Sequence, residues 1–260
     1  MPSREKESYC IRSVENALLL LEALAEEDSK CSLSQLSHRL GMTKASLFRL
    51  MATFESHGYV EHNQNSSEYN LGLAAYEVGQ KLLARMPLLR MARPVMEQLV
   101  RNCNETAYLV VQRDDEALFL AVSDADQKVK IVSLVGRRLP LEDCAAGKIF
   151  LAFDTQNNKK LLENKPQLGN EIKEWQQQGV CVDHNGIGEG CTCIAVPLLN
   201  GDNQLTGCLS LVGPSFRMGD EQSTQSLIPA IKAAGETISA KLGHLGFQLK
   251  STTSSLESNI

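Results

Sequence analysis

The 260-residue sequence is poor in several things at once. It has one Trp and 5% aromatic residues overall. It has no excess of positive charge: 26 Lys and Arg stand against 31 Asp and Glu, for a net charge of −5. That excludes a protein that coats nucleic acid by bulk attraction, though not a confined basic surface. No apolar run approaches the ~18 residues that a membrane helix needs, so no membrane partner is expected. The opening residues, MPSREKESYC, lack the apolar core of a secretory signal. The eight cysteines, at 10, 31, 103, 144, 181, 191, 193 and 208, include no CxxC pair. Reduced thiols in a cytoplasmic protein are the expectation. What is there is ordinary: 43% hydrophobic and 22% charged residues, at a length suited to two domains.

The N-terminal third reads as helices. From Arg12 to Ala25, Val14, Ala17, Leu18, Leu21 and Leu24 recur at helical spacing with acids opposite, and Leu20 widens the stripe. The extra width allows a satellite contact, such as a second subunit. Ser32 with Gln35 three residues on forms a capping box for a second helix, and Gly41 stops it. Thr43 is the next N-cap, for a third helix ending near His57. On that helix Leu47, Leu50, Met51 and Phe54 make one buried face. The opposite face carries Ala45, Arg49 and Ala52, flanked by Ser46 and Thr53. Short side chains, hydroxyls and a long cation are what a helix entering the major groove requires. The tight Gly41-Met42 connection fits a helix-turn-helix, and two short strands around Val60 and Asn70, joined by a polar loop, would form a wing. From Lys30 to Tyr59 the cations Lys30, Arg39, Lys44 and Arg49 face Glu55 alone, a local charge of +3. Met1 to Ala84 as a whole has eight cations against eleven acids, −3. Binding must therefore come from a confined surface. An unrelated three-helix unit would share these helices, so the helices alone leave both readings open.

The rest alternates helices and strands. Leu73 to Leu83 and Leu88 to Arg101 read as helices around Pro87. Ala107 to Arg113, Ala117 to Val122 and Lys128 to Val135 read as strands, and Gly136 to Asp143 as a loop. A helix begins at Ala145, further helices run to Gln178, strands follow at Cys191 to Leu199 and Leu205 to Val212, and a long helix spans about Gly219 to Gly243. Antiparallel hairpins flanked by helices indicate an α+β domain. By strand parity Cys181 and Asp183 share a side, as do Cys191, Cys193 and Ala195, and Cys208, Ser210 and Val212. Such small side chains suit a pocket floor, but parity alone is explained at least as well by packed core.

The segments SVENALLLLEALA, LSQLSHRLGMTKASLFRLMATFESHGYV and YNLG, then GRRLPLEDCAAGKIFLA, GEGCTCIAVPL and LSLVGP, resemble in order and spacing the IclR-type bacterial transcription regulators, from about Ser13 to Phe247. The resemblance implies a winged helix-turn-helix over 10–72, a linker helix over 73–86 and an antiparallel α+β, GAF-like effector-binding domain over 87–247. Residues 1–9 and 248–260 are expected to be disordered. It implies a homodimer or homotetramer on a palindromic operator of double-stranded DNA, usually as a repressor, modulated by a small carboxylate effector. The expected DNA-contacting set is Ser32, Thr43, Lys44, Ala45, Ser46, Arg49 and Thr53. The resemblance puts the effector carboxylate against the backbone of Ala145 and Ala146, with polar contacts from Asp183, Cys193 and Ser210 and an apolar wall of Leu134, Leu139 and Cys191. The family often has a serine where Val212 stands and a Glu pair where Asn185 and Gly186 stand. That points to a less polar or differently placed effector here.

Two rivals use the same residues. A cysteine-dependent enzyme would need Cys193 activated by His184 and Asp183, but these two neighbours point to opposite sides of an extended strand. A zinc site from Cys181, His184, Cys191 and Cys193 would rest on a C-x-C spacing unlike common zinc knuckles. No enzyme activity, cofactor or metal is expected.

Overall fold

The computed structural model describes residues 10–26, 31–63, 68–153 and 168–244. The termini expected to be disordered, 1–9 and 248–260, lie outside the described residues, as do residues 64–67 of the wing loop and 154–167, for which further helices are expected. The chain divides into two compact units, Met1–Arg85 and Met86–Ile260. No helix among the described residues is long and apolar enough to cross a membrane.

In the first unit, α1 (Arg12–Glu26) is apolar around most of its circumference, so packing chooses the stripe it buries. The choice corrects the sequence reading. Leu20, Ala23 and Leu24 face inward against Leu36, Leu47, Met51, Val60 and Tyr69, and Leu20 is fully buried. Val14 and Leu18, expected inside, are exposed, Leu18 to 57%. Once one stripe meets the core, its neighbour must face away. Ile11, Val14, Leu18 and Leu19 accordingly line an outward groove.

The strand β1 (Cys31–Ser32) precedes α2 (Leu33–Leu40). Ser32 caps α2 through the expected box: Gln35 N–H donates to Ser32 Oγ, and Ser32 N–H donates back to Gln35 Oε1. Gly41 ends the helix at φ 63°, a left-handed conformation that glycine adopts without strain. Ser37 Oγ–H donates to Met42 O at 2.6 Å and closes the turn into α3 (Lys44–Ser56). Leu47 and Met51 of α3 are buried, with Leu50 and Phe54 packed beside them. The wing strands β2 (Val60–Asn63) and β3 (Glu68–Leu71) pair antiparallel, Val60 opposite Leu71 and Asn63 opposite Glu68. The wing has a third strand: β1 pairs with β3, giving the order β1-β3-β2. A two-residue strand carries no period that sequence alone can register. α4 (Leu73–Arg85) follows, and none of its side chains is buried.

In the second unit, α5 (Pro87–Cys103) leads into β4 (Thr106–Arg113), β5 (Glu116–Ser123), β6 (Arg138–Pro140), α6 (Ala145–Phe153) and α7 (Leu168–Gln178). Next come β7 (Cys181–His184), β8 (Cys191–Leu199), β9 (Leu205–Pro214), the short α8 (Ser215–Met218) and α9 (Glu221–Lys241). The six strands form one antiparallel sheet in the order β6-β5-β4-β9-β8-β7. Strand parity sorts its two faces. Ile194, Val196, Leu209 and Leu211 face α5 and α9; a Cβ on Gly207 would meet Leu88 at 3.0 Å, and one on Gly235 would meet Val196 at 2.8 Å. Tyr108, Val110, Phe119, Cys181, Cys193, Ala195, Cys208 and Val212 pack on the other face with Ile149 and Phe150 of α6.

Two sequence expectations fail here. Lys128 to Val135 is not a strand, and a strand, β6, lies inside the expected loop Gly136 to Asp143. The edge of β5 is taken by β6, through Glu116 opposite Pro140 and Leu118 opposite Arg138, which leaves no ladder for the preceding residues. Those residues cross the sheet as a strap. Leu134 is buried and Ile131 packs on the same cluster, whereas Val129, Val132 and Val135 are exposed. Two bonds tie the strap, Arg217 Nη1 to Val129 O and Leu134 N–H to Tyr108 Oη, and two more hold the residues just before it, Thr106 Oγ1–H to Asp124 and Gln127 Nε2 to Asn104 O. The long helix expected over about Gly219 to Gly243 is present as α9, with Asp220 accepting from Ser223 N–H at its start.

Candidate functional site

On the first unit, α3 presents Lys44, Ala45, Ser46, Arg49, Ala52 and Thr53 to solvent, opposite its buried Leu47 and Met51. The expected contact residues are not equivalent. Thr43 Oγ1 accepts from Ser46 N–H, and Thr53 Oγ1–H donates to Arg49 O within the helix. Ser32 Oγ–H is held by Gln35 Oε1 at 2.7 Å, so its donor is already engaged. Of the four cations in the +3 segment, Lys30 lies outside the described residues and Arg39 is ion-paired with Glu26. Lys44 and Arg49 remain as exposed cations on α3 itself. The same surface carries Phe48, 59% exposed, which the sequence reading did not select. Its signal was present: it falls outside the i, i+3, i+4, i+7 set that fills the core.

On the second unit, cross-strand pairing aligns the candidate residues in two rows beneath α6. One runs Asp183, Cys193, Val212, Thr106, and the other Cys181, Ala195, Ser210, Tyr108. Ala145 and Ala146 open α6 and are buried against this face, in the turn whose N–H groups have no helical acceptor. Leu134 and Leu139 pack on the same cluster. Cys191 shares the parity of Cys193 but sits opposite Pro214 at the start of β8, and its side chain is not part of that cluster.

The charge at the site comes from a residue the sequence reading missed. Lys148, three residues after Ala145, donates from Nζ to Asp183 Oδ2 at 2.9 Å. The Asp183 side chain is 8% exposed and that of Lys148 21%. Burial opposes the ammonium charge, but the Asp183 carboxylate outweighs it and holds the Lys148 pKa above the ordinary lysine value. Asking which cation would neutralise a buried Asp183 would have led to Lys148. Gly186 closes over the pair: a Cβ there would lie 2.1 Å from Asp183 Oδ2 and 2.3 Å from Asp143 O. Neighbouring Asn185 is left-handed at φ 67° and accepts from Gly190 N–H at 2.8 Å. The Asn185-Gly186 departure is thus a backbone device that seats the loop on the carboxylate.

Ser210 is 2% exposed, and its hydroxyl has no hydrogen-bond partner among the described residues. A buried hydroxyl left unpaired costs about 1–3 kcal/mol, and groups of this kind mark places where something else completes the bonding. The thiols around it are weak nucleophiles. Burial pushes Cys144 up to about 11, Cys181 up to about 12, and Cys193 and Cys208 well above the ordinary value. His184 lies on the opposite side of β7 from Asp183, hydrogen-bonded through Nδ1 to Thr192 Oγ1 at 3.2 Å. It reaches neither Cys193 as a base nor the cysteines as a fourth metal ligand.

Known proteins match both units. The family model for the C-terminal region of the bacterial transcriptional regulator IclR matches residues 80–240, and that for the IclR helix-turn-helix domain matches residues 13–64. The chain is 29% identical over 254 residues to the HTH-type transcriptional regulator KdgR of Escherichia coli, covering 92% of this chain and 96% of that one. It is 25% identical over 242 residues to the transcriptional repressor IclR of E. coli, covering 87% and 88%. The structure of an IclR homologue from Microbacterium hydrocarbonoxydans complexed with 4-hydroxybenzoate superposes with a TM-score of 0.77 at 19% identity, covering 88% and 98%. With a DNA-binding helix-turn-helix unit followed by an α+β unit built on an antiparallel sheet, the chain belongs to the IclR family of transcriptional regulators.

Proposed function

We propose that this regulator is a repressor whose operator affinity is set by a small carboxylate bound between α6 and the sheet. The observation that carries the reading is the buried Ser210 hydroxyl, unpaired among the described residues, on the face that also holds the Lys148–Asp183 pair and the first turn of α6. The N–H groups of Ala145 and Ala146 receive the carboxylate. Asp183, Cys193 and Ser210 make the polar contacts, and Leu134 and Leu139 form the wall, with Cys191 outside that cluster at the start of β8. Val212 keeps one side of the site apolar. That the Microbacterium homologue holds 4-hydroxybenzoate, a carboxylate with an apolar body, supports this ligand chemistry.

The DNA surface consists of Ser32, Thr43, Lys44, Ala45, Ser46, Arg49 and Thr53, read by a symmetric oligomer on a palindromic duplex. We assign 10–72 to the winged helix, 73–86 to a linker helix and 87–247 to effector binding. Self-association to a dimer or tetramer is supported by exposed apolar side chains on two helices: those lining the groove of α1, and Leu73, Tyr76, Val78 and Leu82 of α4. The protein works in the cytoplasm and has no enzyme activity: burial raises the pKa of its pocket thiols, and His184 is turned away from them.

A thermal-shift screen of the full chain against small carboxylates, starting with 4-hydroxybenzoate, tests the site. A ligand that raises the melting temperature of the native protein, and whose effect Asp183→Ala abolishes while operator binding by the ligand-free protein persists, is the expected result. A variant that responds to ligand as the unaltered chain does overturns the assignment.

A further inference from the structure

Resting on the reading that α3 is the DNA-contacting helix, we propose that Phe48 is a specificity-determining residue that packs on the C5-methyl group of a thymine in the major groove. Phe48 lies three residues after Ala45 and four before Ala52, so on a helix of 3.6 residues per turn it borders both. Arg49 borders the same two alanines from the other side. The four form one exposed tetrad, opposite Leu47 and Met51. The alanines let the helix approach closely. Arg49 supplies a donor for a guanine edge or a phosphate.

Phe48 is 59% exposed, on a helix whose other large apolar residues are buried or partly buried. It has no hydrogen-bonding atom, so it gains nothing from phosphates, sugars or polar base edges. The apolar group that a major groove offers at a base edge is the thymine methyl. The charge of the surface selects nucleic acid over an apolar protein partner: exposed Lys44 and Arg49 flank the ring, and the side chains between them are small or hydroxylated. Phe48 therefore reads a methyl group beside the position that Arg49 contacts.

The test begins with duplexes enriched from a random-sequence library by the full chain, followed by titration of the enriched duplex with single thymines replaced by deoxyuridine, which removes only the methyl. The unaltered chain should lose about fourfold affinity at one thymine of a half-site, the equivalent of burying one methyl group. Phe48→Ala should bind as weakly to the thymine duplex as to the deoxyuridine duplex, with the melting temperature unchanged. Phe48→Leu should retain part of the discrimination. If Phe48→Ala loses affinity while keeping the full methyl dependence, or keeps both, the proposal is overturned and the DNA reading stands. If the chain enriches no sequence, the DNA reading falls and takes the proposal with it.

Discussion

The Lys148–Asp183 pair predicts an asymmetry between its two partners. The carboxylate lies deep, beneath Gly186 and beside Asp143 O, whereas the ammonium keeps about a fifth of its side-chain exposure. Breaking a buried pair costs about 3–5 kcal/mol when the surviving charge stays buried. Lys148→Met strands the carboxylate and should cost roughly 2–4 kcal/mol, discounted from that range because the pair has one edge in water. Asp183→Asn leaves an ammonium on a flexible stem that can turn toward solvent, with an amide oxygen still available to accept from it, and should cost about 1 kcal/mol. The double variant carries neither charge and should fall within about 1 kcal/mol of the unaltered chain, well short of the sum of the singles. Urea unfolding at neutral pH measures all three; by melting temperature, each kcal/mol corresponds to about 2–4 °C for a unit of this size. Because the Lys148 pKa is raised, its contribution is complete below the ordinary lysine value and is lost only as pH rises through the folded value. The difference between the unaltered chain and Lys148→Met should thus be flat from about pH 6 to 8 and shrink only in strongly alkaline solution. Equal costs for the two single variants, or a double variant as unstable as their sum, would refute the reasoning.

Further outcomes follow from other sites. Arg49→Ala should weaken operator binding by about 1–3 kcal/mol in a gel-shift titration, as loss of a base or phosphate contact does; unchanged affinity would remove Arg49 from the interface. Leu20→Ala should destabilise the first unit by about 2–4 kcal/mol, while Leu18→Ala one helical stripe away should leave its unfolding midpoint nearly unmoved. Iodoacetamide near neutral pH should modify exposed Cys10 well before Cys193, whose buried thiol stays protonated. Rapid alkylation of Cys193 in the native protein would revive the nucleophile.

Local chemistry was the legible part of this sequence. Ser32 with Gln35, Gly41 and Thr43 fixed the two ends of the helix-turn-helix connection, because caps depend on neighbours within four residues. Parity separated Asp183 from His184, since alternation along a strand is equally local. What escaped depends on partners far away in the chain. The strap Lys128–Val135 alternates well enough for a strand, but pairing needs a free edge, and β6 holds that edge. The inward stripe of α1 could be chosen only by knowing where Leu36, Leu47 and Val60 would stand. Lys148 looks like a surface lysine on a short helix until Asp183, 35 residues later, is folded beside it. Phe48 was passed over because an aromatic residue among core-forming leucines reads as core, and only its angular position around α3 places it outside.

The sheet order sets a timetable for the nascent chain. β4 has β9 as its inner neighbour, and the ion pair that secures this junction joins Glu105 to Arg217 across 112 residues. At about 5–20 residues per second, the ribosome needs on the order of ten seconds to deliver the second half of that contact after the first. Until then the β4–β5 hairpin waits with one long hydrophobic edge unpaired, the state in which strands are most open to aggregation. The helix-turn-helix unit is built from contacts much closer along the chain and carries no such delay. Each copy of the regulator therefore has its DNA-reading head folded well before the centre of its larger domain can close.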